Sequence, residues 1–458
     1  MKKKIAFAVS ALALLALASC QSPFEEQKIE EDKFNLTIAT YSEEGEETVL
    51  KELASSYQKT HPEINIIVKT FGGELFRNYM TKYASNQDKL PDVIWMPDDQ
   101  FAAFADGGYF LDLRSFYEAS PETNYSNYYS SMLNAASYIG EYKPLSEDTD
   151  PKYGIYYAPR DYDKIGIVYN TKLFEEYDIA VPSMENWDMN AFYTLCKTIS
   201  AKLGRGSNRV ITLNSWWEPV YTTLFKELGG DGLVTAEGKC NLGSAANRAV
   251  ESSLYDNLFA DEKIMQSQDN DFTRGLTFMT VVARPRVAGF KTKMAGLRED
   301  GKSPIDFLPM PCKSIAAGCS GYGIVKKHAE EVREVKGEKR TVKDLAWDFI
   351  KYIITEDGQE AAGKTGLSVP VLKSLAKTGE WRKAIDASLN HDAWLAGEEL
   401  RLTTYNIYKP NARAPLRDLM TAFMSNLEKQ AEGKPEKREK LISDYTNEFN
   451  KKAEGNLL

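Results

Sequence analysis

The sequence predicts an α/β fold of mainly parallel sheets flanked by helices, divided between more than one domain. Three observations predict it. Apolar runs too short for helices alternate with stretches of helical periodicity. The segments between successive runs are of crossover length, which parallel pairing requires. A chain of 458 residues, 43% of them hydrophobic, exceeds what one core ordinarily organises.

The N-terminus reads as a targeting segment. Lys2, Lys3 and Lys4 precede an apolar run from Ile5 to Ala18, too short for a permanent membrane span, and small residues lead to Cys20. Leu17-Ala18-Ser19-Cys20 resembles the lipobox of bacterial lipoproteins, which implies a signal peptide over residues 1–19 and a lipid anchor on Cys20. Residues 20–33 are acidic and poor in apolar side chains, so they read as a tether. The formal net charge of −9 argues against general affinity for nucleic acid or anionic lipid. Four further cysteines, at 196, 240, 312 and 319, are too few for a disulfide scaffold. Cys312 and Cys319 flank a small-residue turn and are read either as a pair or as two free thiols, and Cys196 as a core residue.

Leu36 to Thr40 alternates as a strand, Val49, Leu50, Leu53 and Tyr57 mark a helix, and Ile64 to Val68 is a second strand. Phe76, Tyr79, Met80 and Tyr83 mark a second helix before the stretch LPDVIWMPDDQFAAFADGGYFLDL, Leu90 to Leu113. There Val93 to Met96 is a buried strand, Phe101 and Phe104 begin a helix, and Gly107-Gly108 stops it. In an open α/β sheet ligands gather at the carboxyl ends of strands, so Trp95, Asp98, Asp99 and Gln100 are candidate ligand contacts. An aromatic plane beside carboxylates and an amide suits a polyhydroxylated ligand.

Further on, Tyr153 to Pro159 and Ile165 to Asn170 are strands on either side of a polar turn, and Trp187 heads a helix through Phe192, Leu195 and Ile199. The strand Val210 to Leu213 exits into Asn214-Ser215-Trp216-Trp217-Glu218-Pro219. Adjacent tryptophans beside a carboxylate predict one core side chain and one ligand contact, assigned to Trp217 with Glu218. Ala283-Arg284-Pro285-Arg286 offers two cations; if they face a cleft, an acidic or phosphorylated ligand follows. The charged run Lys326 to Lys343 predicts a loop or hairpin, and Thr341 with Asp344 caps a helix through Leu345, Phe349 and Ile353. Pro415 opens a helix through Leu416, Met420, Phe423 and Leu427, and Leu441, Tyr445 and Phe449 stripe another.

These passages, in this order, resemble the family 1 extracellular solute-binding proteins, the sugar-binding lipoproteins of bacterial ABC importers. Leu90 to Leu113 resembles the family's first-lobe signature, Tyr153 to Asn170 its "YGLPY…GLYYN" passage, and Val181 to Trp187 its "P-x-T-W-D-E-F" segment with Asn186 for threonine. Phe272 to Thr280 resembles its "F-x-x-G-x-x-A-M" element, although Arg284-Pro285-Arg286 replaces the usual Gly-x-Trp. The resemblance implies a type II two-lobed binding-protein fold joined by three hinge crossings. Lobe 1 is expected over 34–158 and 310–368, and lobe 2 over 159–309 and 369–458. It also implies a carbohydrate ligand, a membrane permease as partner, a monomer at the membrane surface, and Asp163 near the first crossing as a site residue.

Catalysis finds little support. The three histidines, 61, 328 and 391, match no ligand spacing, so no metal is expected; the first βα turn lacks a dinucleotide motif, so no cofactor is expected. The enzymatic rival is a surface glycoside hydrolase pairing Asp98 or Asp99 with Glu218.

Overall fold

The computed structural model describes residues 28–42, 45–72, 86–97, 100–204, 209–265, 270–430 and 435–458. The signal segment, Cys20, the helix expected from Phe76 to Tyr83, and both Asp98 and Asp99 lie outside them. In chain order the strands are β1 (Phe34–Tyr41), β2 (Ile64–Phe71), β3 (Val93–Pro97), β4 (Ala158–Pro159), β5 (Asp161–Asn170), β6 (Arg209–Thr212) and β7 (Thr277–Ala283). There follow β8 (Ile305–Pro309), β9 (Ser314–Gly318), β10 (Ser320–Ile324), β11 (Val332–Val335), β12 (Glu338–Thr341), β13 (Val369–Pro370) and β14 (Glu398–Arg401).

One sheet runs β2-β1-β3-β10-β4 and a second runs β14-β9-β5-β7-β6, with β8 and β13 also paired to β5. Alternation in β1 turns Leu36 and Ile38 into the first core, and β1 pairs in parallel with both β2 and β3. Between β1 and β2 the helix Glu46–Thr60 buries Val49, Leu50, Leu53 and Tyr57 on its sheet-facing side. Gly45 opens that helix at φ 85, in the left-handed region that favours glycine.

The second sheet is mixed rather than mainly parallel. β5 pairs antiparallel with β7, β8, β9 and β13, and parallel pairing is confined to β6 with β7 and β14 with β9. The second crossing also falls later than position 310. Ile305 to Pro309 lies on β5, and the chain turns through Pro311 into β9, which buries Ile315 in the second core. The change of sheet therefore comes between Gly318 and Ser320, where β9 gives way to β10. A buried apolar run looks the same whichever sheet it joins, so the hydrophobic pattern alone does not mark this boundary. Cys312 and Cys319 are free thiols; the Cys319 sulfur lies 3.0 Å from the Tyr157 hydroxyl. β11 and β12 form the hairpin expected in the charged run, and the Thr341 hydroxyl accepts the Asp344 N–H at the start of the helix Val342–Ile354.

At the first crossing Arg160 and Asp161 are buried together with Glu46. Arg160 Nη2 donates to Glu46 Oε1 at 3.0 Å and to the Ser320 hydroxyl at 3.2 Å, and it also pairs with Asp161. Ser320 Oγ donates to Asp161 Oδ2 at 2.6 Å and accepts the Trp95 indole N–H at 3.0 Å. The Gln359 side chain ties the Arg160 carbonyl to the Val371 N–H, each at 2.8 Å, so all three crossings join one cluster. Removing one member of a buried charge cluster strands the rest, so Glu46→Gln is expected to lower unfolding free energy by about 3 kcal/mol. Urea denaturation reads this directly, and an unshifted midpoint would exclude a stabilising role for the pair.

Candidate binding site between the lobes

The two lobes meet around a pocket whose walls come from both sheets' partners. From the first lobe come Phe101 and Ala102, on the helix Phe101–Asp106, and Ser131 of the helix Ser130–Ala135. From the second come Glu218, at the start of the helix Glu218–Glu227, and Tyr405 and Asn406 on the approach to the helix Pro410–Gln430. That last helix adds Arg413 and Arg417, four residues apart and hence on one face, and the end of β14 adds Arg401. The cavity measures about 90 Å³, below the roughly 300 Å³ at which small-molecule sites usually begin.

The polar groups in the walls are unevenly satisfied. The Ser131 hydroxyl is buried without a hydrogen-bond partner among the described residues. Glu218 faces Arg417 at 3.9 Å. Below it the Tyr221 and Tyr405 hydroxyls are 3.0 Å apart, and burial, reinforced in each case by the Glu218 carboxylate, holds both phenols well above their usual pKa. Arg413 spans the cleft: it donates to the Tyr138 carbonyl of the first lobe at 3.1 Å, and to the Tyr408 and Asn406 carbonyls of the second at 2.9 and 3.2 Å. Burial pushes its pKa below the ordinary guanidinium range.

Among the residues nominated from sequence, Glu218 lines this pocket and Gln100 directly precedes Phe101 in its wall. Trp95 is 7% exposed, held by Ser320 and stacked on Tyr41 with ring centroids 5.9 Å apart. Asp163 accepts the Arg284 main-chain N–H at 3.3 Å; burial, and behind it the Asp161 carboxylate, holds its pKa well above the usual carboxylate range. Arg284 is fully buried rather than facing the pocket. Its guanidinium carbon lies 5.1, 5.4 and 5.7 Å from the ring centres of Trp381, Phe307 and Trp394, and burial pushes its pKa down to about 9. Of the two adjacent tryptophans, Trp217 packs against the second core and Trp216 is 41% exposed.

The sequence reading missed Arg401, Arg413 and Arg417. Starting the helix at Pro415 left Arg413 outside it; the helix begins at Pro410 and carries Pro415 within its first turns. The usable signal was the spacing of the two arginines, which a helix begun five residues earlier places on one face.

The sequence profile described as bacterial extracellular solute-binding protein matches residues 41–360. The chain belongs to that family. Its members are binding proteins, not enzymes, which favours Glu218 as a ligand contact over a hydrolytic carboxylate. No curated protein sequence matches significantly. Among solved structures, the sugar-binding protein MalE of Xanthomonas citri is 16% identical, with a TM-score of 0.68 over 92% of this chain and 97% of that one. The GacH receptor of Streptomyces glaucescens, solved unliganded and with acarbose, is 18% identical, with a TM-score of 0.66 over 93% and 99%. An ABC substrate-binding protein of Listeria monocytogenes in complex with cycloalternan is 16% identical, with a TM-score of 0.66 over 92% and 99%. At such identities the likeness establishes the fold, the type II two-lobed arrangement of this solute-binding family.

The placement of the tryptophans gives opposite expectations for two neighbouring substitutions. Trp217→Ala is expected to destabilise the free protein by about 3 kcal/mol through a cavity in the second core. Trp216→Ala is expected to change it by no more than about 0.5 kcal/mol, as at an ordinary surface position. Thermal unfolding of both variants without ligand checks the assignment; equal losses would refute it.

Proposed function

We propose that the protein is an extracytoplasmic sugar-binding lipoprotein, which captures a di- or oligosaccharide between its lobes and delivers it to an ABC importer in the membrane. The pocket shared by both lobes carries the reading. A ligand that touches Phe101 and Ser131 on one side and Glu218 and Asn406 on the other is bound best when the lobes approach, and closure is driven by that difference in contacts alone. Phe101 and Ala102 give the pocket an apolar edge, while the Ser131 hydroxyl, the Asn406 amide and the Glu218 carboxylate pair with hydroxyls that would otherwise be desolvated at a cost. The acarbose- and cycloalternan-bound proteins of the same fold support a saccharide over other polar solutes. Asp98, Asp99 and Gln100 precede Phe101 directly and are proposed as further contacts at the mouth.

Localisation follows from the N-terminus. A signal peptide over 1–19 and a lipidated Cys20 place the protein, as a monomer, on the outer face of a membrane. No helix among the described residues is long and apolar enough to cross a membrane. Two acyl chains or more, at about 0.8 kcal/mol for each buried methylene, suffice for stable anchoring.

A thermal-shift screen across mono-, di- and oligosaccharides, with peptides as controls, is expected to find a saccharide class that raises the melting temperature. A ligand at a hundredfold excess over Kd stabilises the folded state by about 2.7 kcal/mol. Stabilisation by peptides and by no sugar would reverse the assignment. Separately, Cys20→Ser is expected to move the protein from the membrane to the soluble fraction; unchanged fractionation would remove the lipid anchor.

A further inference from the structure

Resting on the sugar-binding reading, we infer that the ligand is an acidic saccharide, whose carboxylate or sulfate is gripped between Arg401 and Arg413. The lining carries three guanidiniums, those of Arg401, Arg413 and Arg417, against the single described carboxylate of Glu218. Glu218 is already committed to Arg417. Neither Arg401 nor Arg413 has a carboxylate within ion-pair distance among the described residues. Glu399, two residues before Arg401 on β14, acts with its charge on Lys164 and Tyr162.

Arg413 makes the stronger demand. It is half-buried, its three hydrogen bonds all go to main-chain carbonyls, and the Asp106 carboxylate, which accepts the Tyr138 hydroxyl at 2.7 Å, favours its charge only from beyond ion-pair distance. A guanidinium has five N–H donors, so two remain for a ligand. A neutral sugar closing over this residue would remove its remaining water and return only weak dipoles, whereas an anion returns both charge and geometry. The Ser131 hydroxyl, buried and unpartnered across the pocket, supplies a further donor from the other lobe. Among the described residues this wall is cationic, although the whole chain carries a formal net charge of −9; the two acids proposed for the mouth, Asp98 and Asp99, would meet a ligand's hydroxyls.

The test titrates the full chain calorimetrically with three oligosaccharides of equal length: neutral, uronic-acid and sulfated. At least one acidic arm is expected to bind about tenfold or more tighter than the neutral arm, the scale of a hydrogen bond to a charged group, and to weaken as salt is raised. Arg401→Gln, at an exposed position, is expected to abolish that preference; Arg413→Gln is expected to do the same, but it also loses a contact between lobes. Comparison of the uronic-acid and sulfated arms separates the two anions. Equal binding of all three arms, or an acidic preference untouched by Arg401→Gln, would overturn the inference and leave the sugar-binding reading standing. Failure of every arm in both calorimetry and thermal shift would overturn both.

Discussion

A guanidinium and two carboxylates, all out of reach of water, occupy the place where the chain first changes lobes. Burial alone would drive the Arg160 pKa down, yet Glu46 and Asp161 hold it well above the usual value, so attraction between the charges outweighs desolvation. Such a cluster is favourable only when every partner is in position. It therefore fixes several elements at once: the helix after β1 through Glu46, the crossing through Asp161, β10 through Ser320, and β3 through Trp95. Gln359 extends the same constraint to β13 through Val371.

A second buried guanidinium obeys a different rule. Arg284 has three aromatic rings around it and one hydrogen bond to a carbonyl, at 3.4 Å, and among the described residues Asp163 is the acid whose field favours its charge. Burial presses Asp163 toward its neutral form and Arg284 toward easier deprotonation; the Arg284 main-chain N–H and the Arg160 charge oppose the first shift, and the Asp163 carboxylate opposes the second. The ring faces contribute electrostatic attraction that a plain apolar wall would lack. Arg284 is thus held as part of the second lobe's base, where it is out of reach of a ligand between the lobes.

What the sequence could reveal divides along the range of the interactions involved. β3 with its following helix, the Thr341 cap and the hairpin in the charged run all depend on residues within a few positions of each other, and periodicity exposes them. The fate of Arg284 depends on rings at 307, 381 and 394, and the sheet to which residues 314–318 belong depends on β5, some 150 positions earlier. Nothing local distinguishes an arginine bound for an aromatic cage from one bound for a cleft. The same holds for Trp95, whose position at a strand's carboxyl end is legible but whose indole partner, Ser320, is separated from it by 225 residues. Glu218 was legible because one strand exit and one helix start place it, with no distant residue deciding the outcome.

Arg413 bears on how the lobes are coupled. Its bond to the Tyr138 carbonyl joins the lobes through the protein's own groups, so part of the energy that holds them together belongs to the protein itself. A ligand then contributes only the difference between its contacts in the closed and open forms, and a protein that is already partly biased toward closure needs a smaller difference to reach the same occupancy. The bias has an upper bound. If it were too strong, any open form through which a ligand enters would be too rarely populated. Three hydrogen bonds from one arginine, two of them within a single lobe and one across the cleft, keep that bias small: opening breaks one bond to a carbonyl that water readily replaces, and the guanidinium stays positioned by the other two.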